Sequence, residues 1–404
     1  MIYVGIDDTD SLEGGCTTYL SSKVIDELSD LSLIGEPRLV RLNPNVPWKT
    51  RGNGAIALTF KNNTSITDQE ILDRILQIVK SESHPSSQPG VIVSRKKLPM
   101  NLYWKGVRTI LSKDKIIKYI KETTFKGLRG GRGLIGAACA IAWDFTKSDT
   151  TYELLAYRKK NKWGTIRGIS KSQVNIVSKF DGVFSCMDSD GKISMVPHSP
   201  CPVLWGLRGT KSASLLKGLV HLGPEKAEKS LLFLTNQGSD DHLQEKSLSK
   251  LEDGICIKVK GKVHSTPYSI KGGHRFFDLI DDNNLTVTCA AYEPSGDFRT
   301  KVDKLIQGDD IIVCGSLSHE TLNLEKFKVV RFENRYVKPP NPLCNKCHTR
   351  MHSTGKNSDY KCRICSTKLP KPAYKSVLPD LDTCWYEPPS SARRHLSKPA
   401  ALMD

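Results

Sequence analysis

Two C-x-x-C pairs, Cys344/Cys347 and Cys362/Cys365, with fourteen residues between them, constrain this chain more than any other feature. Four thiolates in that pattern close around one Zn²⁺ as a tetrahedron with no open position, so the implied site is structural. A redox disulfide would need only one pair. His348 and His352 are near enough in sequence to compete as ligands. Lys346, Arg350, Lys361 and Arg363 make the ribbon, residues 340–372, basic. The rest of the twelve cysteines are scattered, mostly in apolar runs. That is the usage of a cytoplasmic protein with buried thiols and one metal site, not of a secreted disulfide scaffold.

Basicity extends beyond the ribbon. The formal charge is +17, from 60 Lys and Arg against 43 Asp and Glu, and it is spread over several segments. An excess of that size implies a polyanionic partner, most often nucleic acid. The longest apolar stretch, residues 133–143, is too short to span a bilayer, and the chain opens directly into a strand without a leader pattern. These features point away from a membrane.

The opening residues, MIYVGIDDTDSLEGGCTTYL, carry the densest chemistry. A short apolar strand ends in Asp7, Asp8, Thr9 and Asp10; Gly14, Gly15, Cys16, Thr17 and Thr18 follow, and then a helical pattern through Leu20, Val24 and Leu28. Carboxylates at a strand end are hard ligands that suit Mg²⁺. A glycine turn opening a helix offers free N–H groups and a positive dipole end to phosphate. Together they make a nucleotide–metal site. The plainer reading is an Asp-rich turn with Asp10 or Ser11 capping a helix. The Walker A pattern is missing.

Residues 1–125 form the first unit. Asn43 to Gly54 is a loop carrying Trp48, Lys49 and Arg51, a mixture suited to stacking on a base and gripping phosphate, or to a solvated hairpin with one packing Trp. Residues 126–250 read as an α+β unit with a ferredoxin-like layer. Its start contains a G-x-G-x-x-G match at Gly131, Gly133 and Gly136, but a basic helical stretch precedes it, so a dinucleotide fold is rejected. Leu134 to Trp143 reads as strand. Two loops are chemically loaded: one around Arg208, and the NQGSDDH run ending in Asp241 and His242. Residues 254–335 carry five strand patterns with a short helix between the third and fourth, the pattern of an OB-fold. The tail, residues 373–404, is either a strap or disordered.

Taken together, these parts resemble the archaeal tRNA(Ile2) 2-agmatinylcytidine synthetases over essentially the whole chain. The resemblance rests on GIDDTDS at 5–11, GGCTT at 14–18, NPNVPWKTRGNGA at 43–55, GRGLIGA at 131–137, WGLRG at 205–209, NQGSDDH at 236–242 and the paired cysteines. It implies an α+β multidomain protein: an N-terminal α/β kinase-like domain, a ferredoxin-like domain, an OB-fold barrel and a zinc ribbon. It also implies a ligase that uses ATP to attach agmatine to C2 of the wobble cytidine of tRNA(Ile) with a CAU anticodon. The route passes through a phosphorylated cytidine and changes decoding from AUG to AUA. Asp7, Asp8 and Asp10 would hold Mg²⁺, Thr18 would itself be phosphorylated, and Arg208 would stabilise charge. Gly14, Gly15, Cys16 and Thr17 would cradle ATP. Trp48, Lys49, Arg51, Asp241 and His242 would face substrate and tRNA, and Cys344, Cys347, Cys362 and Cys365 would bind Zn²⁺. The reading from another class is a non-catalytic single-stranded nucleic-acid binder built on the barrel and ribbon.

Overall fold

The run Ile2–Ile6 is apolar throughout because it becomes a central strand with helices on both faces. The computed structural model describes residues 1–403 other than 51, 63, 64, 189, 224, 356, 357 and 371–373. In chain order the main strands of the body are β1 (Ile2–Asp7), β2 (Arg38–Arg41), β3 (Gly54–Lys61), β4 (Gly90–Ser94), β5 (Thr124–Gly127), β6 (Thr151–Tyr157), β7 (Val183–Phe184), β8 (Val203–Gly209) and β9 (Lys229–Thr235). The helices are α1 (Thr17–Glu27), α2 (Asp68–Glu82), α3 (Met100–Arg108), α4 (Lys113–Ile120), α5 (Leu134–Ala142), α6 (Lys171–Val177) and α7 (Ser212–His221).

The strands form one sheet of ten, ordered β5-β4-β1-β3-β2-β9-β6-β8-β7, with the short strand Ser32–Leu33 added on β3. Alternation along β3 builds two cores. Ile56, Leu58 and Phe60 face α1 and α2, while Ala55 and Ala57 face α3, α4 and α5. A Thr67–Glu70 capping box starts α2. The far half runs strand, helix, strand, strand, helix, strand (β6 to β9), with spatial order β9-β6-β8-β7. The two halves meet where β9 pairs parallel with β2, Leu234 opposite Arg38 and Thr235 opposite Leu39. That seam sets the end of β2 close to β6 and β8.

Two local expectations change. Leu134 to Trp143 is not a strand but helix α5, with eight of its nine residues buried. A helix hidden on all sides loses the polar face that reveals a 3.6-residue period, so its apolar run imitates a strand. Its alanines nevertheless favour helix strongly. The stretch before the glycines also contains strand β5, so the glycine loop does follow a strand. The surrounding strands β1, β4 and β5 pair antiparallel, so no dinucleotide fold results. Between β7 and β8, residues 193–196 form no strand and make one isolated bridge, Met187 to Ile193.

Beyond the body lies a closed five-stranded barrel: β10 (Cys256–Val263), β11 (Arg275–Ile280), β12 (Thr286–Ala291), β13 (Asp310–Ser318) and β14 (Thr321–Arg331), with helix α8 (Phe298–Val302) between the third and fourth. Closure comes from β10 pairing with both β13 and β11, and from the parallel pair β12–β14. Three two-residue strands near the cysteines make a small separate sheet. The tail is a strap. Trp385–Tyr386 adds to β14, and the chain then returns to the body, where Gly238 N–H donates to His395 C=O (2.9 Å) and Asp240 N–H to Leu396 C=O (2.8 Å).

Candidate active site

The end of β1, the start of α1, the loop after β2, the β6–β8 ladder and the tail enclose a cavity of about 430 Å³. Asp7, Asp8 and Asp10 lie on its wall together with Cys16, Thr17 and Thr18. Helix α5 comes so near β1 that a Cβ on Gly136 would sit 1.9 Å from Asp7 Oδ2, and one on Gly133 2.4 Å from the Asp7 carbonyl oxygen. The glycines of the G-x-G-x-x-G run therefore serve close packing beneath the carboxylates. Burial, then Asp8, pushes the Asp7 carboxyl well above its ordinary range. Burial also raises Asp8, although Arg132 Nη2 stands 3.3 Å from Asp8 Oδ2. Asp10 Oδ1 accepts from Thr50 Oγ1 at 3.0 Å.

Cys16 is the N-cap of α1 and gives the first turn no side-chain acceptor. Its Sγ lies 3.1 Å from Thr18 Oγ1. Thr17 is turned inward and takes a hydrogen bond from Thr9 Oγ1 at 3.0 Å. Gly14 and Gly15 shape the preceding turn, in which Ser11 N–H donates to Gly14 C=O (2.8 Å) and Gly15 holds φ at +76°. They lie beside the cavity rather than on its wall.

The opposite wall is cationic. Glu153 on β6 accepts from Arg41 Nη2 (3.1 Å) and Arg208 Nε (3.0 Å), with only 3 % of its side chain exposed. Burial alone would raise Glu153, but the two guanidiniums hold it below its ordinary range. Two cations against one anion leave this wall positive. Trp48 is 43 % exposed at the cavity, with the Arg132 guanidinium 5.7 Å from its ring centroid. Lys49 Nζ donates to Pro44 C=O (2.6 Å). Arg51 lies outside the described residues.

Sequence reasoning singled out none of Arg41, Glu153 and Arg132 as a site residue, and it left the tail open between strap and disorder. Arg393, Arg394 and His395 all line the cavity. Burial, then Arg41 and Arg208, keeps His395 well below the ordinary imidazole range, so its ring is neutral. The double-Arg run was the one available signal. Asp241 and His242, expected to face substrate, do not line the cavity. Asp241 takes a hydrogen bond from the Tyr103 hydroxyl, and burial lifts it to about 6. His242 is fully buried, its Nε2 2.8 Å from Glu325 Oε2 on the barrel. His242 belongs to the joint between body and barrel, whereas Asp241 stays within the body, where Arg108 Nε also donates to its carbonyl oxygen (3.0 Å).

In the ribbon, the sulfurs of Cys344, Cys347, Cys362 and Cys365 all lie within 4.8 Å of one another, with Cys344 and Cys365 at 3.5 Å. Tetrahedral Zn²⁺ with bonds of about 2.3 Å sets sulfurs about 3.8 Å apart, so the four thiols fit that ion.

Comparison with known proteins agrees along the chain. Residues 3–129 match the family model described as the TiaS TCKD domain, 131–242 the TiaS FLD domain, and 341–377 the TiaS C-terminal zinc ribbon domain. A tRNA(Ile2) 2-agmatinylcytidine synthetase TiaS from Methanocaldococcus jannaschii is 37 % identical, over 100 % of this chain and 99 % of that protein. The protein of the same name from Archaeoglobus fulgidus is 35 % identical, over 100 % and 98 %. Among solved structures, the TiaS–tRNA(Ile2)–ATP complex matches with TM-score 0.88 and 33 % identity, covering 100 % of this chain and 97 % of that one. The TiaS–tRNA(Ile2)–AMPCPP–agmatine complex matches with TM-score 0.85 and 31 % identity over the same shares.

Proposed function

The chain belongs to the tRNA(Ile2) 2-agmatinylcytidine synthetase family, and from that membership we infer that its cavity is where ATP activates the wobble cytidine of tRNA(Ile) and agmatine is joined to C2. One observation carries the placement: three carboxylates, the Thr18 hydroxyl and an arginine wall share one cavity. The enzyme is an ATP-dependent C–N ligase, and its partners are tRNA(Ile) and agmatine.

The C2 oxygen of cytosine is a poor leaving group, and phosphorylation makes it leave. Asp7, Asp8 and Asp10 would hold Mg²⁺; the raised, mutually repelling carboxyls of Asp7 and Asp8 form a donor set short of positive charge. Bound there, the ion supplies charge neutralisation for a transferring phosphoryl group. The first turn of α1 presents backbone N–H groups to phosphate. Thr18, at the cavity and on that turn, is the acceptor hydroxyl in this reading. Arg41 and Arg208, fixed by Glu153, meet charge developing on the oxygens. Trp48 and Arg132 offer a face to a base turned out of its stack. The half of the sheet before β6 serves as the kinase-like domain. The strand–helix–strand–strand–helix–strand half serves as the ferredoxin-like one and the barrel as an OB-fold. Zn²⁺ in the ribbon keeps a tRNA-binding module folded. A cytoplasmic setting suits a tRNA substrate and twelve cysteines with no disulfide among them. A binder without catalysis has no use for carboxylates repelling one another beside a helix N-terminus.

The test is incorporation of labelled agmatine into a tRNA(Ile) transcript with a CAU anticodon. Incorporation should require ATP. Thr18→Val should still bind ATP but lose incorporation by orders of magnitude. ATP cleavage with no agmatine in the tRNA would sink the reading.

A further inference from the structure

Joining an amine to carbon requires a base, because the nitrogen must shed a proton as the new bond forms. Most of the candidates on the cavity wall are already committed. Asp7, Asp8 and Asp10 serve as metal ligands. Glu153 spends its carboxylate on the guanidiniums of Arg41 and Arg208. Cys16 Sγ faces Thr18 Oγ1. His198 is exposed, on the loop between β7 and β8. His395 differs from all of these. It lines the cavity half-buried, and neither ring nitrogen has a hydrogen-bond partner among the described residues.

The strap holds this ring through its backbone, since His395 C=O accepts from Gly238 N–H (2.9 Å). The ring then packs against Gly52, in the loop after β2. A Cβ on Gly52 would sit 2.6 Å from Arg41 Nη1 and 2.7 Å from His395 Nε2, so a glycine here lets guanidinium and imidazole border one point. The charged groups facing the ring are Arg41 on β2 and Arg208 on β8. Within the strap, Arg393 turns aside to Glu387 and Ser185, and Arg394 to Asn45 and Ser316. The two facing cations keep the ring neutral and so able to accept a proton. They are also the cations that meet the phosphate of the activated cytidine. C2 is joined to that phosphate through a single oxygen, which brings it close to the imidazole. A phosphate bound there also offsets the two cations and returns the imidazole toward its ordinary range.

Resting on the ligase reading, we propose that His395 is the general base of the joining step, taking the proton that the agmatine nitrogen sheds. The amine enters uncharged, its ammonium proton left to solvent. Its lone pair forms the bond to C2, the C2–O bond breaks, and that electron pair leaves on the phosphate. The nitrogen's proton passes to the imidazole and from there to the departing phosphate, so the ring ends as it began.

The bland alternative is a ring that only fills the wall beside Gly52. Full-length His395→Ala, assayed with tRNA(Ile), labelled ATP and agmatine, separates the two. Agmatine joining should fall by about a hundredfold or more, the usual contribution of a positioned base. Activation of the cytidine does not use this base, so labelled phosphate should build up on the tRNA in the variant and not in the parent. Imidazole added at constant pH and ionic strength should restore joining in proportion to its concentration, and should leave the parent's rate alone. His395→Gln fills the space without a basic nitrogen and should join agmatine as slowly as the Ala variant. A ring that only packs gives the reverse pattern: Gln close to the parent, activation and joining slowed together, and no response to imidazole. That pattern overturns the proposal, as does joining at the parent's rate by His395→Ala. A parent that joins no agmatine removes the ligase reading itself, whereas a working parent beside an equally fast Ala variant removes only the base.

Discussion

Asp7 is a carboxylate that weakens the fold holding it. Burial and the nearby Asp8 raise its proton affinity in the folded chain. A raised carboxyl means the folded state binds the proton more tightly than the unfolded one. Stability is therefore lost as pH climbs from the ordinary carboxylate value, about 4, up through the raised one. Asp7→Asn should accordingly melt at a higher temperature than the parent at neutral pH in a chelator, and it should lose phosphoryl transfer by orders of magnitude. Adding Mg²⁺ should raise the parent's melting temperature more than the variant's. A variant that melts lower in chelator would mean the carboxylate supports the fold, contrary to its surroundings. The DDTD cluster was readable in sequence because its carboxylates are adjacent on one turn. Arg41, Glu153 and Arg208 were not readable as a unit. They come from three strands 112 and 55 residues apart, and only the β2–β9 seam brings them together.

At the scale of elements, the strap after Trp385–Tyr386 matters most. Arg393 donates to Ser185 Oγ (2.6 Å), and Ser390 Oγ reaches Asp188 Oδ1 at 2.5 Å, so the strap is stitched to the body. Arg394 donates to Asn45 Oδ1 (2.6 Å), in the loop that carries Trp48, and to Ser316 Oγ (2.8 Å) on the barrel. Removing residues 387–404 should therefore open one wall of the cavity and release that loop. Agmatine incorporation should fall by about a hundredfold, the scale on which small misplacements act. tRNA affinity should change by only a few-fold, because the barrel and ribbon remain. Arg394→Gln, which keeps the strap, should show a smaller loss in the same assay. A truncated enzyme with full turnover would remove the tail from the site. Composition alone left the tail open between strap and disorder, since its Pro-rich, polar residues lack a period. Helix α5 was misread for the opposite reason, a run too uniformly apolar to show one. The barrel strands were legible because each has a wet outer face, and alternation survives there, as in β10 with Lys258, Lys260 and Lys262 outward.

Across the whole molecule, body, barrel and tail meet at Glu325. The order of the units along the chain could be read from sequence, but this joint could not, because His242 and Glu325 are 83 residues apart and each sits among other polar residues that mark out no partner for it. With Cys256 they form a trio within 4.8 Å, the spacing of a metal site. The charges argue against one. Burial and Glu325 push the Cys256 thiol up to about 12, and Arg394 Nε already stands 3.3 Å from Glu325 Oε1. The joint is an ion network. Burial alone would raise Glu325, yet His242 and Arg394 together bring it down to about 2. Relative to an ordinary glutamate near 4.3, a depression of that size corresponds to about 3 kcal/mol of stability. The sign follows from linkage: the contribution is complete above about pH 4.3 and is lost as pH falls through the folded value. Glu325→Gln should thus melt well below the parent at pH 7, and the gap should close steadily between about pH 4 and pH 2. Calorimetry across that range reads the difference directly. In the variant the single transition should also split, because the barrel and the body each keep their own core once the joint is gone. A gap that stays constant with pH would show that Glu325 acts by packing and hydrogen bonding rather than by its charge.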